Sequence, residues 1–307
     1  WFRFIPMLLK SNAYIQKADL VLGINIAYGA LMAYCLKAPY VTFAYAYEFL
    51  KFQHTPIIAG LFKKVYAQSV RCISISRYTT EQLQAFGVDA SRIDTILPGA
   101  PEPLAITVAQ QASLREAWHL PDGPLLLAVG RLIPRKGHAT LLEAMPAILE
   151  QYPRTTLVCV GRGPLLDDLQ TQAQQLTIHD SVRFPGYMND VDVATLYAAC
   201  DLFVLPTGHD ARGQVEGFGL VFAEANAYGK PAIAGRSGGT VDAVVDGETG
   251  LIIEPDDPAA CAEAILSLLN DPIRAQAMGE AGKRRVEIEL NWTTFTTRMM
   301  QAVEKVL

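Results

Sequence analysis

With 307 residues, half of them apolar and 19% charged, the chain is too long for one small core and too apolar for a disordered segment. It reads as a two-domain globular protein with a net charge of −5, and nucleic acid is not among the expected partners. The charge is uneven, with 10 Lys+Arg against 6 Asp+Glu over residues 1–104 and 16 against 25 over residues 105–307.

The chain opens on an apolar, basic stretch, Trp1–Lys10, read as a helix. Its two readings are an interior helix and a surface helix holding Trp1 and Phe2 at the headgroup level of a membrane. Strands follow at Ala18–Asn25, Tyr40–Ala44, Arg71–Ile75 and Arg92–Leu97, with helices at Tyr28–Leu36, Ile57–Gln68 and Arg77–Phe86. Ser76 is placed to cap the third of these helices. Pro98, Pro101, Pro103 and Pro121 break the pattern and mark a connection, with one short helix near Ser113–Trp118. Beyond it the alternation is regular. Strands are expected at Leu125–Val129, Thr155–Val160, Ser181–Phe184, Leu202–Leu205, Pro231–Ala234 and Leu251–Ile253. Helices are expected at His138–Glu150, Pro164–Gln175, Val191–Cys200, Gly217–Tyr228, Pro258–Asn270 and Pro272–Glu289. Such alternation predicts parallel α/β architecture. The division falls at residues 1–104 and 105–290, and an amphipathic last helix over 291–307 is expected to cross back onto the first domain. A complete nucleotide-binding α/β domain opens with a strand, a Gly-rich loop and a helix. No such unit stands at the start, so the first domain is expected to be incomplete.

Open parallel sheets bind ligands beyond the carboxyl ends of their strands. In the second half the distinctive residues all fall there. Gly130, Arg131 and Lys136 follow the first strand, Gly161 and Gly163 the second, and Gly186, Tyr187 and Met188 the third. Pro206 to Glu216 follow the fourth, and Ser237-Gly238-Gly239 the fifth. Arg131 offers a fork of donors and Lys136 a point charge, a pair suited to a diphosphate leaving group. Glu216 and Glu224 frame Glu-Gly-Phe-Gly-Leu-Val-Phe-Ala-Glu. A helix through this run brings both carboxylates near one face and bares amides for a phosphate at its start. The apolar neighbours of Glu224 bury it, and a ribose with two hydroxyls would satisfy it. Gly161-Arg162-Gly163 lacks the third glycine of a dinucleotide fingerprint and reads as a tight turn lining the site. Ser237-Gly238-Gly239 reads either as backbone donors for an anion or as an ordinary loop.

The five histidines, His54, His119, His138, His179 and His209, show no metal-ligand spacing, so no metal is expected. The five cysteines include no C-x-x-C pair and read as buried thiols in a reducing compartment. No apolar run reaches the roughly 20 residues of a membrane span.

The loop Gly130–Gly137, the turn Gly161–Pro164, the segment Phe184–Met188, the E-x7-E element and the stretch Ser237–Gly250 together resemble the retaining GT-B glycosyltransferases, a family that includes bacterial mannosyl- and glucosyltransferases. The run Gly213–Glu224 also resembles GDP-mannose-dependent phosphatidylinositol-mannoside mannosyltransferases. The resemblance implies two Rossmann-like domains facing a cleft. It implies transfer of a hexose from a nucleotide diphosphate sugar to a lipid or saccharide acceptor, with retention and without cofactor. It places Arg131 and Lys136 on the donor diphosphate, Glu216 by the donor sugar and Glu224 by the ribose. Gly130, Gly161 and the backbone of Gly217, Phe218, Gly219 and Leu220 line the donor, and Tyr187 and Met188 meet the base. Many members carry a histidine after the strand matching Tyr40–Ala44, where this chain has Phe43-Ala44-Tyr45-Ala46-Tyr47-Glu48. The alternative expectation is therefore a nucleotide-sugar-binding module without turnover. Localisation is expected to be cytoplasmic, with membrane contact through the N-terminal domain.

Overall fold

The run Tyr40-Val41-Thr42-Phe43-Ala44 is buried at every position, as a strand covered on both faces must be. In the computed structural model, residues 4–52, 55–211 and 213–307 are described, residues 4–9 by their backbone alone. The readings made of Trp1, Phe2 and His54 lie outside the described residues. The chain divides into two compact units, Trp1–Pro98 with Thr293–Leu307, and Gly99–Trp292.

The first unit holds four parallel strands, β1 (Val21–Gly23), β2 (Tyr40–Ala44), β3 (Arg71–Ser74) and β4 (Ile93–Thr95), hydrogen-bonded in that order. Alternate residues of β2 serve opposite faces. Tyr40 and Ala44 pack with Phe49, Phe62, Val65 and Tyr66. Val41 and Phe43 pack with Ile73, Ile96, Ala302 and Val303. The second group includes the last helix, Trp292–Glu304, which lays Phe295, Met299, Ala302 and Val303 along one stripe. Ser76 caps the helix Arg77–Ala85 by accepting from the Thr79 amide at 3.1 Å.

Three expected elements are clearly shorter here, one of them the strand read as Arg92–Leu97, which is only Ile93–Thr95. The strand read as Ala18–Asn25 is only Val21–Gly23, because Asn25 turns to cap a π-helical turn, Ile26–Ala30, through the Ala27 amide at 2.9 Å. Any side chain on Gly23 would overlap Ala30, so glycine lets that turn fold back onto β1. The expected helix Tyr28–Leu36 accordingly begins only at Leu31 and runs to Cys35. Cys35 is exposed, contrary to expectation, whereas Cys72, Cys159, Cys200 and Cys261 are buried.

After β2 the chain makes a γ-turn at Ala46, with φ 71° and ψ −56° and the Tyr47 amide bonded to the Tyr45 carbonyl at 3.0 Å. Glu48 braces it. Its Oε1 accepts from the Tyr45 amide at 2.7 Å and from the Tyr66 hydroxyl at 3.0 Å. Burial raises the Glu48 carboxyl above its ordinary value, against the pull of these bonds.

The second unit is a six-stranded parallel sheet of β5 (Leu125–Val129), β6 (Thr156–Val160), β7 (Val182–Gly186), β8 (Leu202–Leu205), β9 (Ala232–Gly235) and β10 (Gly250–Ile253). Its order is β10-β9-β8-β5-β6-β7. The chain therefore builds outward from β5 on one side, then returns to build outward from β8 on the other. The strand order reverses between β5 and β8, the kind of switch point beside which open parallel sheets bind ligands. The connecting helix runs over Val108–Ala117, longer than the expected Ser113–Trp118. A reciprocal cap between Thr107 and Gln110 starts it early. Among the described residues no helix is long and apolar enough to cross a membrane.

Ala46 occupies a backbone region that glycine enters without strain. Ala46→Gly should raise stability by about 1 kcal/mol, read as a higher urea midpoint of the first unit. A lower midpoint would show that the turn is not strained.

Candidate functional site

The loop leaving β5 returns as a tight turn, Pro134–Lys136, ended by Gly137 in the left-handed region at φ 72°. A side chain at Gly137 would overlap the Pro206 carbonyl, so the turn sits flush against the loop leaving β8. The Gly208 amide donates to the Arg135 carbonyl at 2.9 Å and fastens the two loops together. From this seat Lys136 and Arg135 both reach Glu216. Lys136 Nζ lies 2.6 Å and Arg135 Nη1 3.0 Å from the same oxygen, Oε2. The side chains are 10%, 10% and 15% exposed for Arg135, Lys136 and Glu216. Burial pushes the Glu216 carboxyl up, but Lys136 and then Arg135 outweigh it and hold the group below its ordinary value. It is therefore a carboxylate at neutral pH.

Glu216 is not on the helix, contrary to the expectation of two acids on one helical face. The helix spans Leu220–Ala227, and Gly219 precedes it at φ 93°. The left-handed glycine turns the chain by itself, so Gly217 and Phe218 belong to the loop. Phe218 is buried and anchors it. Glu216 is instead held through its own carbonyl, which accepts from the Gly239 amide at 2.8 Å. The Ser237 amide donates to Thr240 Oγ1 at 3.1 Å. Two of the three amides of the Ser237-Gly238-Gly239 loop, those of Ser237 and Gly239, are thus occupied internally. No side chain caps the helix at Leu220.

Beside this cluster lies a cavity of about 790 Å³ along the carboxyl ends of β5, β6 and β7. Of the predicted residues, Gly130, Arg131, Gly161, Tyr187, Met188 and Glu224 line it. Lys136 stands alongside, since a Cβ on Gly130 would come 3.6 Å from its Cε. Gly219 is close to Glu216, where a Cβ would come 3.5 Å from the glutamate Cγ. Gly161, at φ 140°, lies so close to the Gly130 carbonyl that no side chain fits, and this glycine keeps the floor open. Arg131 is exposed on the rim and does not share the lysine's carboxylate. Arg135, not Arg131, joins Lys136 at the carboxylate, while Arg131 lines the cavity. Tyr187 is 70% exposed, with the Arg162 guanidinium 5.6 Å from its ring centre.

Glu224 faces the cavity from the helix, and Tyr197 donates to its Oε2 at 2.8 Å. Burial raises the Glu224 carboxyl, more than the Tyr197 bond lowers it. Tyr197 stacks on Tyr228 with ring centres 5.8 Å apart, and the Tyr228 hydroxyl accepts from the Leu104 amide at 2.9 Å. Arg135 and Tyr197 were not singled out in the sequence. Arg135 sits inside the loop Gly130–Gly137 but gives no spacing signal of its own. Tyr197 is a buried phenol that must find a partner, a need visible in the sequence only once its helix is known to be buried.

His138 is 1% exposed, and among the described residues neither ring nitrogen has a hydrogen-bond partner. Burial, with Lys136 adding to it, lowers its pKa to about 4, so it is neutral. A second cavity, about 540 Å³, lies at the opposite sheet edge, by Pro124, Leu202 and Pro231. Those are the amino ends of β5, β8 and β9, away from the first cavity. No group of three or more His, Cys, Asp or Glu is gathered for a metal among the described residues.

Residues 110–285 match the family model described as glycosyl transferases group 1. The GDP-mannose-dependent alpha-(1-6)-phosphatidylinositol monomannoside mannosyltransferase of Mycolicibacterium smegmatis is 37% identical over 235 residues. That match covers 74% of this chain and 60% of the relative, so the chain spans about three fifths of that protein's length. The protein of the same name from Mycobacterium tuberculosis is 32% identical over 291 residues, 90% of this chain and 74% of its own. In fold, the chain is similar to Anabaena HepE in complex with UDP and glucose, with TM-score 0.85 at 20% identity over 98% of this chain and 82% of that one. It is also similar to the sucrose-phosphate synthase of Thermosynechococcus elongatus, with TM-score 0.82 at 27% identity over 99% and 78%. The two parallel sheets are thus those of the GT-B glycosyltransferases. From the motifs to the fold the findings agree, and this chain belongs to the glycosyl transferases group 1 family.

Proposed function

We propose that the protein is a retaining hexosyltransferase that moves mannose from GDP-mannose to a lipid or saccharide acceptor. The observation that carries this reading is the buried Lys136–Glu216 contact beside an open cavity that Glu224 lines. A cation held beside a cavity suits a diphosphate, and an acid that lines it suits a ribose. The activities named for the mycobacterial relatives support mannose, guanine and a phosphoinositide-type acceptor. HepE with UDP and glucose marks uridine donors as the alternative class.

In this proposal the donor base lies against Tyr187 and Met188, the ribose hydroxyls bond Glu224, and the diphosphate meets Arg131, Lys136 and the amides that open the helix at Leu220. Glu216 stands by the sugar. The bond from the sugar C1 to the phosphate oxygen breaks, and a bond from C1 to the acceptor oxygen forms on the same face. The proton of the acceptor hydroxyl passes to the departing phosphate oxygen. The cations take the place of a metal ion as the leaving group's counter-charge. Acceptor recognition is assigned to the first domain, whose positive balance over residues 1–104 suits an anionic lipid surface at the cytoplasmic face of a membrane.

Lys136→Ala should lower kcat for mannose transfer by roughly 10²–10³-fold, measured with GDP-mannose and a phosphoinositide acceptor. Glu216→Gln should be similarly impaired. Equal turnover in both variants and the parent would refute the assignment. Transfer should persist in excess EDTA, whereas loss of activity restored by a divalent ion would assign the counter-charge to a metal. Ionised Glu224 can accept from both ribose hydroxyls, and protonation removes one acceptor. GDP affinity should therefore weaken as pH falls through a midpoint above the ordinary glutamate range. Calorimetry across pH on the parent and on Glu224→Gln tests this, since the glutamine variant should lack that component.

A further inference from the structure

We propose that Arg135 is a positioning residue that keeps Glu216 paired while Lys136 transfers to the donor diphosphate. The inference rests on the reading that a diphosphate meets Lys136. Two cations converge on one carboxylate oxygen, so the buried group carries one positive charge more than it needs to be neutral. The two cations share one fastened turn and differ in their heads. Arg135 is fixed at its backbone by the Gly208 amide, and the turn it occupies is locked by Gly137 against Pro206. Lys136 is a flexible chain whose end passes Gly130, itself part of the cavity wall. A lysine ammonium is a point charge free to turn toward a new anion, whereas a guanidinium keeps its charge and its fork.

An arriving diphosphate draws the lysine away from Glu216. Without a second cation, the carboxylate would be left buried and unpaired beside an anionic ligand, which is strongly unfavourable. Arg135 removes that obstacle by staying. The other titratable groups around the lysine do not compete for the role. His138, on the helix that follows the turn, is neutral, with its pKa lowered to about 4. Glu224, on the helix Leu220–Ala227, also feels the Lys136 charge, but its bond is to Tyr197.

The test is GDP and UDP binding by calorimetry from acid to alkaline pH for the parent, Arg135→Gln, Arg135→Lys, Glu216→Gln and the double variant Arg135→Gln/Glu216→Gln. Thermal melts accompany each to check folding. Arg135→Gln should bind the parent's preferred nucleotide at least about tenfold more weakly. Its deficit should also shrink as pH falls, because Glu216 then protonates more readily and no longer needs a partner. Arg135→Lys should restore most of the lost affinity. In the Glu216→Gln background no carboxylate needs a partner, so the further loss of Arg135 should change affinity little. If the loss persists there at full size, Arg135 contacts the phosphate directly and the positioning role is overturned. Parent-like affinity and pH profile in Arg135→Gln also overturn it. If the parent binds neither nucleotide, the donor-site reading itself fails and takes this proposal with it. Should Arg135→Gln not fold, the double variant, which buries no lone carboxylate, carries the same comparison against Glu216→Gln.

Discussion

The second unit is organised around one buried electrostatic constraint, a carboxylate shared by two neighbouring cations where the strand order reverses. Glu216, Lys136 and Arg135 come from the loops that leave the two central strands, β5 and β8. Charges this buried persist only when matched. The cluster therefore ties together two loops separated by about a quarter of the chain. Glycines at 137 and 161 let backbone approach backbone around it, and the Gly239 amide holds Glu216 from a third loop. Only with these loops gathered is a cavity beside them bounded by a cation and an acid.

The regular part of the architecture was legible because apolar runs and strand-end glycines repeat with the period of a parallel sheet. The strands from Leu125 to Ile253 and the long helix Pro272–Ile288 lie close to where the pattern puts them. Ser76 announced its cap in the same way. What failed was local geometry set by one residue. Gly219 takes the left-handed conformation that starts the helix late and leaves Glu216 in the loop. Glycine in a sequence permits that conformation without demanding it. The early start of the helix at Val108 was in principle readable from Thr107 and Gln110.

Among site residues, the glutamates and Lys136 were visible by spacing, and the cavity collects six of the residues singled out, from Gly130 to Glu224. Arg135 was hidden next to a more conspicuous lysine. Consecutive residues in a loop give no hint of facing the same way, and only the tight turn at Pro134–Lys136 aims both at one oxygen. Tyr197 was hidden for another reason. Its role depends on a helix 27 residues away that presents Glu224 to it, a pairing made by tertiary structure.

The return of Thr293–Leu307 to the sheet that the first 98 residues build has a consequence for biogenesis. During synthesis the segment Gly99–Trp292 is complete before that helix has emerged from the ribosome. One face of the earlier sheet, with Val41, Phe43, Ile73 and Ile96, must wait uncovered until Ala302 and Val303 arrive. The sheet of the earlier residues is thus finished only after the later unit. For the length of that wait, its bare apolar face is a natural target for chaperones.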